Sequence, residues 1–452
     1  MSEVFESLSS PANGHGLWAT TKNESHLHVI PAEAGIQKNR LDPDFRRHDE
    51  GTFKNEHVMH EMVRASKLCV GTGTSSAQDS VKAGHEAAAT AVAALAGERP
   101  VLIIVFTAPR YELAALLSGI RAVAGAIPLI GATGSGEIVC GRYMGFGAGV
   151  AVLALTAGPY RFGIASAASI GGNLDRAGQD IARASRAEAG PSSHAAVMLL
   201  ADSLLGDLQE LVTGIYRVTG PQVPLFGGAA SDEQKFLQTF VFHNDQVIER
   251  GAAALWIAGD QPLQVVTRHG WEAIGGPMLV TRAEGPEIFE IGGRPAAIAY
   301  EERLGLSPGQ LTADNFWNTS LYHPFGLLQS DGSVLIRVAR SKTDRGTLIL
   351  QGCVLPSGCV VQVMKGTADT LLDVAEDVAQ TALDANRENG VLIAFSCAAR
   401  ATIFGTRTAE ESRRLQSAAG SVPTFGMYCC GEFARTMGVL GTHNASLTAL
   451  AL

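Results

Sequence analysis

The sequence predicts an α/β protein whose mixed sheets are built from a repeated β-α-β-turn-β unit spread over two related parts. Three observations predict it. First, the stretch Val101 to Glu137 recurs as Ala195 to Glu233 and, in more diverged form, as Gly390 to Glu432. Second, one register runs through the copies: Pro128, Pro224 and Pro423 each stand three residues before Gly131, Gly227 and Gly426, and Glu137, Glu233 and Glu432 stand six residues after those glycines. Third, the middle segments superpose. Leu113, Leu116, Leu117, Ile120 and Val123 match Leu208, Leu211, Val212, Ile215 and Val218, with Gly119 over Gly214. That i, i+3, i+4, i+7 spacing gathers the apolar residues on one helix face, as packing on a sheet requires. The third copy keeps only Leu415, Ala418 and Ala419 there, so its membership rests on the Pro-Gly-Glu register.

Each element of the unit has a local reason. VLIIVF, AAVMLLA and VLIAF are short apolar runs of the length of a buried strand. A proline opens the second strand of each copy, and a glycine-containing turn closes it. The runs GAGVAVLAL, GAAALWIA and NASLTALAL then supply one further strand after each copy. Too few copies over too long a span rule out a solenoid and point to internal duplication.

A chain of 452 residues has length for two or three domains with sizeable cores. A formal net charge of −9 without a sustained basic run excludes nucleic acid as the main partner. The longest apolar stretch, Gly145 to Gly158, is too short and glycine-rich to span a membrane. The first twenty residues do not read as a secretory signal. Seven cysteines without metal-ligand spacing read as reduced thiols, which places the chain in the cytoplasm.

Residues 1–60 carry half of the histidines and no helix or strand period, and they read as a disordered extension. The string HVIPAEAGIQKNRLDPDFRRHDE in them resembles the translated product of a short repeat found between bacterial genes, which implies a native start at Met59 or Met62. Next, KLCVGTGTSS reads as a strand running through Gly73 and Ser75 into a turn, with a helix from Ala77 to about Leu95 opened by Ser76 and Asp79. Such a strand-turn-helix offers a small carboxylate the N–H groups of a helix start. GATGSGE lacks the Lys-Ser/Thr of a P-loop. Successive strands follow from His243 to Glu284, and a change of style near Gly275 to Pro286 sets the parts at 62–275 and 276–452. DNFWNTSLYHPFGLL reads as an aromatic loop, followed by alternating strands, a helix from Thr367 to Asn386, and the third copy.

The motifs GTGTSSAQDSVKAGHEAAATA, PVLIIVF and IPLIGATGSGEI resemble the amino-terminal region of the FIST family (named for F-box and intracellular signal transduction proteins). EIFEIGGRPAAIAYEERLG, HPFGLL, the strands around Arg337 and Asp344, FSCAAR, VPTFGMYCCGEF and HNASLTALAL resemble its carboxy-terminal region, so the likeness covers about residues 65–452. The alanine between Cys397 and Arg400 departs from the usual glycine. The resemblance implies a bacterial, cytoplasmic sensory protein for small ligands such as amino acids. Family members are often fused to kinases, cyclases or chemotaxis modules; this chain carries none, which implies an output protein acting in trans.

The candidate site follows from the chemistry of such a ligand. A zwitterion needs one cation and one anion on rigid strand ends. Arg400 supplies a bidentate grip and Glu432 an ammonium acceptor, with Gly431, Cys397, His443, Asn444, His323 and Arg337 around them. Phe316, Trp317, Tyr322 and Phe325 offer a lid; Gly73 and Ser75 in the first glycine turn are separate candidates, as is Glu137, which with Glu233 and Glu432 makes a pseudo-symmetric set of turn carboxylates. The spacing offers no metal site, no catalytic residue is assigned, and no cofactor is expected. The alternatives are an enzyme using Cys397 or Glu432, and a protein-interaction scaffold.

Overall fold

In each repeat a parallel strand pair is joined by a helix that crosses over it, and a third strand returns antiparallel. The computed structural model describes residues 67–385, 390–435 and 440–452; the sequence reading of residues 1–60 lies outside them. The first unit runs β1 (Val70–Ser75), α1 (Ser80–Ala93), β2 (Leu102–Thr107), α2 (Leu113–Ala124), β3 (Leu129–Thr133), β4 (Glu137–Val139), β5 (Arg142–Tyr143) and β6 (Val150–Leu155). The second runs β7 (Arg161–Ala167), α3 (Leu174–Ala189), β8 (His194–Ala201), α4 (Leu208–Thr219), β9 (Leu225–Ala229), β10 (Phe240–His243), β11 (Gln246–Glu249) and β12 (Ala252–Gly259).

The third unit begins with β13 (Val265–Arg268) and is interrupted by a long insertion. The insertion holds β14 (Glu272–Glu284), β15 (Glu287–Ile291), β16 (Arg294–Pro295), α5 (Ala296–Arg303), α6 (Ala313–Tyr322), β17 (Phe325–Leu328), β18 (Val334–Arg337), β19 (Ala339–Lys342), β20 (Leu348–Leu350) and β21 (Val360–Lys365). It folds as an eight-stranded sheet of its own. The unit resumes with α7 (Ala368–Leu372), α8 (Val374–Asp384), β22 (Leu392–Cys397), α9 (Ala398–Phe404), α10 (Thr408–Ala419), β23 (Thr424–Cys429), β24 (Glu432–Arg435), β25 (Thr442–His443) and β26 (Leu447–Ala451). The fold class is therefore α/β with several mixed sheets.

The pairs β2–β3, β8–β9 and β22–β23 are parallel, as a strand–helix–strand crossover requires. The returning strands β6, β12 and β26 each lie antiparallel beside the first strand of their pair. Hydrogen bonds repeat at equivalent positions: the N–H groups of Ala108, Asp202 and Cys397 donate to the carbonyls of Gly149, Gly251 and Ser446.

No unit completes its own six-stranded sheet. The β4–β5 hairpin of the first unit adds to β23 of the third, β24–β25 of the third adds to β9 of the second, and β10–β11 of the second adds to β3 of the first. The exchange is cyclic. It is pinned where the three glycine turns meet, since Ser135 N–H donates to Tyr428 O at 2.8 Å, Ser231 N–H to Thr133 O at 2.9 Å, and Cys430 N–H to Ala229 O at 2.9 Å. One shared core lies between the sheets, with Phe106, Phe226, Phe395 and Phe425 drawn from all three units. Burial of this apolar area, at about 25 cal/mol per Å², is the main force holding the sheets together.

Three local readings differ from the sequence expectation. The first helix starts at Ser80 with Asp79 as its cap, whose carboxylate accepts the Lys82 N–H at 2.7 Å. That carboxylate occupies the place an anion would take. The segment read as an aromatic loop contains helix α6, opened by a reciprocal Thr312–Asn315 capping box. Glu233 does not open a strand. An extra loop, in which Glu233, Gln234 and Phe236 have positive φ, delays β10, and Val241 takes the position opposite Ala132. The matching positions in the other two units are filled by Glu137, opposite Met427, and Glu432, opposite Gly228.

Candidate functional site

The turn after β23 sits where all three turns converge, and it brings together most of the third-repeat candidates. Cys397 ends β22 and is the register partner of Cys429 at the end of β23. With Cys430, Gly431, Asn444, Gln234, Gln351 and Trp317 they line a cavity of about 30 Å³, room for one or two waters. Glu432 lies beneath it, buried. Its Oε2 accepts the Ser446 N–H at 2.9 Å and the Ser446 hydroxyl at 2.6 Å, and Cys429 Sγ lies 3.4 Å from Oε1. Desolvation pushes its pKa up to about 7, against the lowering effect of those bonds. Burial first, and the nearby Glu432 second, push the Cys397 and Cys429 thiols well above their ordinary range. All seven cysteines are free thiols.

The raised carboxyl makes a pH prediction. Between the unfolded pKa and about 7 the folded state holds more protons than the unfolded state, so stability falls as pH rises through that window. Glu432→Gln is expected to flatten that fall and to melt higher than wild type at pH 8. Melting curves at pH 5 and pH 8 check it; equal slopes for the two proteins would remove the assigned pKa.

Arg400 does not meet Glu432. It is fully buried in α9, its Nε and Nη2 hold Glu411 Oε1 at 3.0 and 2.5 Å, and further donors hold the carbonyls of Leu371 and His269. Glu411 also accepts the hydroxyls of Ser396 and Tyr428, each at 2.7 Å. The guanidinium is engaged inside the core and faces no ligand space. The sequence reading that pairs Arg400 with Glu432 across one pocket is corrected accordingly.

A larger groove of about 680 Å³ lies between the β17–β18 hairpin of the insertion and the third unit, lined by Arg268, His269, Ser330, Asp331, Ser333, His443 and Ser446 among others. Burial lowers the pKa of both His269 and His443 to about 4, so both rings are neutral at physiological pH. His443 Nε2 lies 2.9 Å from Ala434 O, and His269 Nδ1 accepts the Trp271 N–H at 2.9 Å. The sequence reading missed this groove except for His443, because its walls come from segments far apart in the chain.

The remaining candidates are scattered. Arg337 is buried, with Nη1 on the carbonyls of Ile336 and Thr442. His323 caps the end of α6, its Nδ1 3.0 Å from Thr319 O, and lines neither the small cavity nor the groove. Of the aromatic lid, Phe316 and Phe325 are core residues, Tyr322 is exposed, and Trp317 alone lines the small cavity. Gly73 serves packing: a Cβ there would lie 2.1 Å from Ala87 O of α1. Ser75 donates to Glu86 at 2.7 Å. Glu137 is fully buried in the first unit, away from the groove. Among the described residues no group of His, Cys, Asp and Glu is placed to hold a metal ion, and no helix is long and apolar enough to cross a membrane.

Comparison with known proteins gives relatives over most of the chain. It is 27% identical over 394 residues to an uncharacterized protein of Mycobacterium tuberculosis, covering 83% of this chain and 96% of the relative. It is 24% identical over 148 residues to an uncharacterized protein of Methanocaldococcus jannaschii, covering 31% and 29% of the two chains. Among solved structures, a cyanuric acid hydrolase from A. caulinodans overlaps 43% of this chain and 72% of its own at 12% identity, with a TM-score of 0.27, too low to carry an argument. The FIST N domain matches residues 101–294 and the FIST C domain residues 296–435. The chain belongs to the FIST family.

Proposed function

We propose that this chain is a cytoplasmic sensory protein that binds a small metabolite, an amino acid or a close relative, and passes the signal to an output protein in trans. The observation that carries the reading is the groove of about 680 Å³, whose size falls in the range of small-molecule sites. It offers neutral histidines and serines, with Asp331 and Arg268, whose Nε also holds Asp377 at 2.6 Å, as opposite charges for a zwitterion. Ser446 lines the groove and holds Glu432 at the meeting point of the three turns, so an occupant touching Ser446 acts on that carboxyl directly. Family membership supports the same reading. The enzyme reading has less support. Its thiols are held protonated at neutral pH, and the thiolate is the nucleophile.

A melting-temperature screen against amino acids and small carboxylates tests the proposal. One chemical class is expected to raise the melting temperature in proportion to the logarithm of its concentration above the Kd. Ser330→Trp, which fills the groove from an exposed position, is expected to abolish that shift and leave the unliganded protein unchanged. A shift that survives this substitution would move the ligand elsewhere.

A further inference from the structure

The groove holds two histidines whose tautomers the protein fixes. His443 Nε2 lies 2.9 Å from the Ala434 carbonyl, which only accepts, so Nε2 carries the hydrogen and Nδ1 is bare. His269 Nδ1 accepts the Trp271 N–H at 2.9 Å, so its hydrogen also sits on Nε2. The nitrogens left over differ in character: Nδ1 of His443 is an acceptor, and Nε2–H of His269 is a donor. Neither has a partner among the described residues, and neither is sealed from water.

The backbone brings the two rings to one wall. Arg268, the last residue of β13, stands opposite Leu447, the first of β26, so His269 falls beside Ser446. The Trp271 indole N–H donates to the Ala445 carbonyl at 2.9 Å and ties that segment to the turn that follows His443. The rings are close enough that charge on His269 would push against charge on His443. Each ring also has a buried arginine behind it. Arg400 Nη1 donates to the His269 carbonyl at 3.1 Å, and Arg337 Nη1 to the carbonyl of Thr442, next to His443, at 2.9 Å. After burial, these guanidinium charges are the next cause that keeps each ring from taking a second proton. Two arginines engaged inside the core thus act on the groove from behind.

A fixed, uncharged donor beside a fixed, uncharged acceptor is matched by a group that offers the reverse pair on one side. A primary carboxamide does so, with its carbonyl oxygen toward Nε2–H and its NH2 toward Nδ1. A carboxylate has no hydrogen for Nδ1 of His443, and an ammonium has no acceptor for Nε2–H of His269. Leaving such a group unmatched costs more than a hydrogen bond gains. We propose that the groove recognises an amino acid bearing a side-chain carboxamide, with the amide seated between His269 and His443. The proposal rests on the groove being the ligand site, with Arg268 and Asp331 for the charged end of the ligand.

The test compares L-glutamine with L-glutamate and L-asparagine with L-aspartate, pairs of nearly equal shape, by melting temperature and titration calorimetry of the full chain. At least one carboxamide is expected to bind about tenfold or more tightly than its acid, the discrimination that one mismatched hydrogen bond supplies. His443→Phe and His269→Phe are each expected to abolish that preference. Ring-nitrogen NMR of the unliganded wild type, which depends on no variant and no ligand, is expected to show both rings neutral with hydrogen on Nε2. A ring with hydrogen on Nδ1, no binding of either carboxamide, equal or tighter binding of the acids, or a preference that survives either substitution would overturn the proposal. Equal binding of amide and acid that Ser330→Trp blocks would remove only the carboxamide and keep the groove as the ligand site. Binding that Ser330→Trp leaves untouched would remove the reading of the groove as well.

Discussion

Replacing Arg400 with alanine is expected to destabilise the protein by about 3–5 kcal/mol, the range seen when one partner of a buried ion pair is removed. The loss comes less from the missing attraction than from what remains. Glu411 would stay fully buried with its charge opposed only by the hydroxyls of Ser396 and Tyr428, and the carbonyls of Leu371 and His269 would lose their donor. Those carbonyls belong to α7 and to the segment after β13, so the guanidinium ties three separate stretches together. Denaturant unfolding reads the effect as a fall in midpoint at constant slope. An apolar pair of similar volume, Arg400→Met with Glu411→Leu, is expected to recover much of the loss, because it leaves no charge unpaired. A loss below about 1 kcal/mol for the single change would show that Glu411 finds water or another cation.

Gly426→Ala is expected to cost about 3 kcal/mol, at the upper end for overpacking, because the obstructing atoms are backbone. A Cβ at this position would lie 1.8 Å from the carbonyl oxygen of Ala394, its register partner in β22. The clash cannot relax without parting β22 from β23. Gly131 and Gly227 stand under the same constraint, 2.1 Å from Val105 O and 1.9 Å from Leu199 O. Gly171→Ala, where nothing lies within 4 Å, serves as the control and is expected to stay within about 0.5 kcal/mol of wild type. Comparable melting temperatures for the two variants would refute the steric account.

That constraint explains why the repeat was legible. The glycines recur because each parallel pair brings two backbones too close for a side chain, and the helix faces recur because each crossover packs on its own pair. Both are local facts with a fixed period. The destination of each hairpin is not local. Nothing in IVCGRY says that Ile138 will lie opposite Gly426, since a strand's pattern records its buried face and not its neighbour. The Glu233 register failed for a related reason: the loop residues Asp232 to Thr239 preserve the spacing to Gly227 while displacing the strand. Arg400 carried a readable signal. An arginine inside the apolar run FSCAARATIF is bound to be buried, and its partner lies eleven residues on in the same unit.

The cyclic exchange of hairpins also has a consequence for synthesis. Glu137 must wait for Met427, about 290 residues later in the chain, before its strand has a neighbour on the side away from β5. Until then β23 is absent, and the first unit carries a hairpin with unpaired backbone groups on one side. Contacts of such sequence separation slow folding, and an uncovered edge invites pairing with another nascent chain. The first two units meet each other early, through β10 on β3, but the ring closes only when the last fifth of the polypeptide has emerged. The sheet built on β2 and β3 needs nothing beyond β11, whereas the other two take strands from the third unit and are completed only after β23 and β24 have emerged.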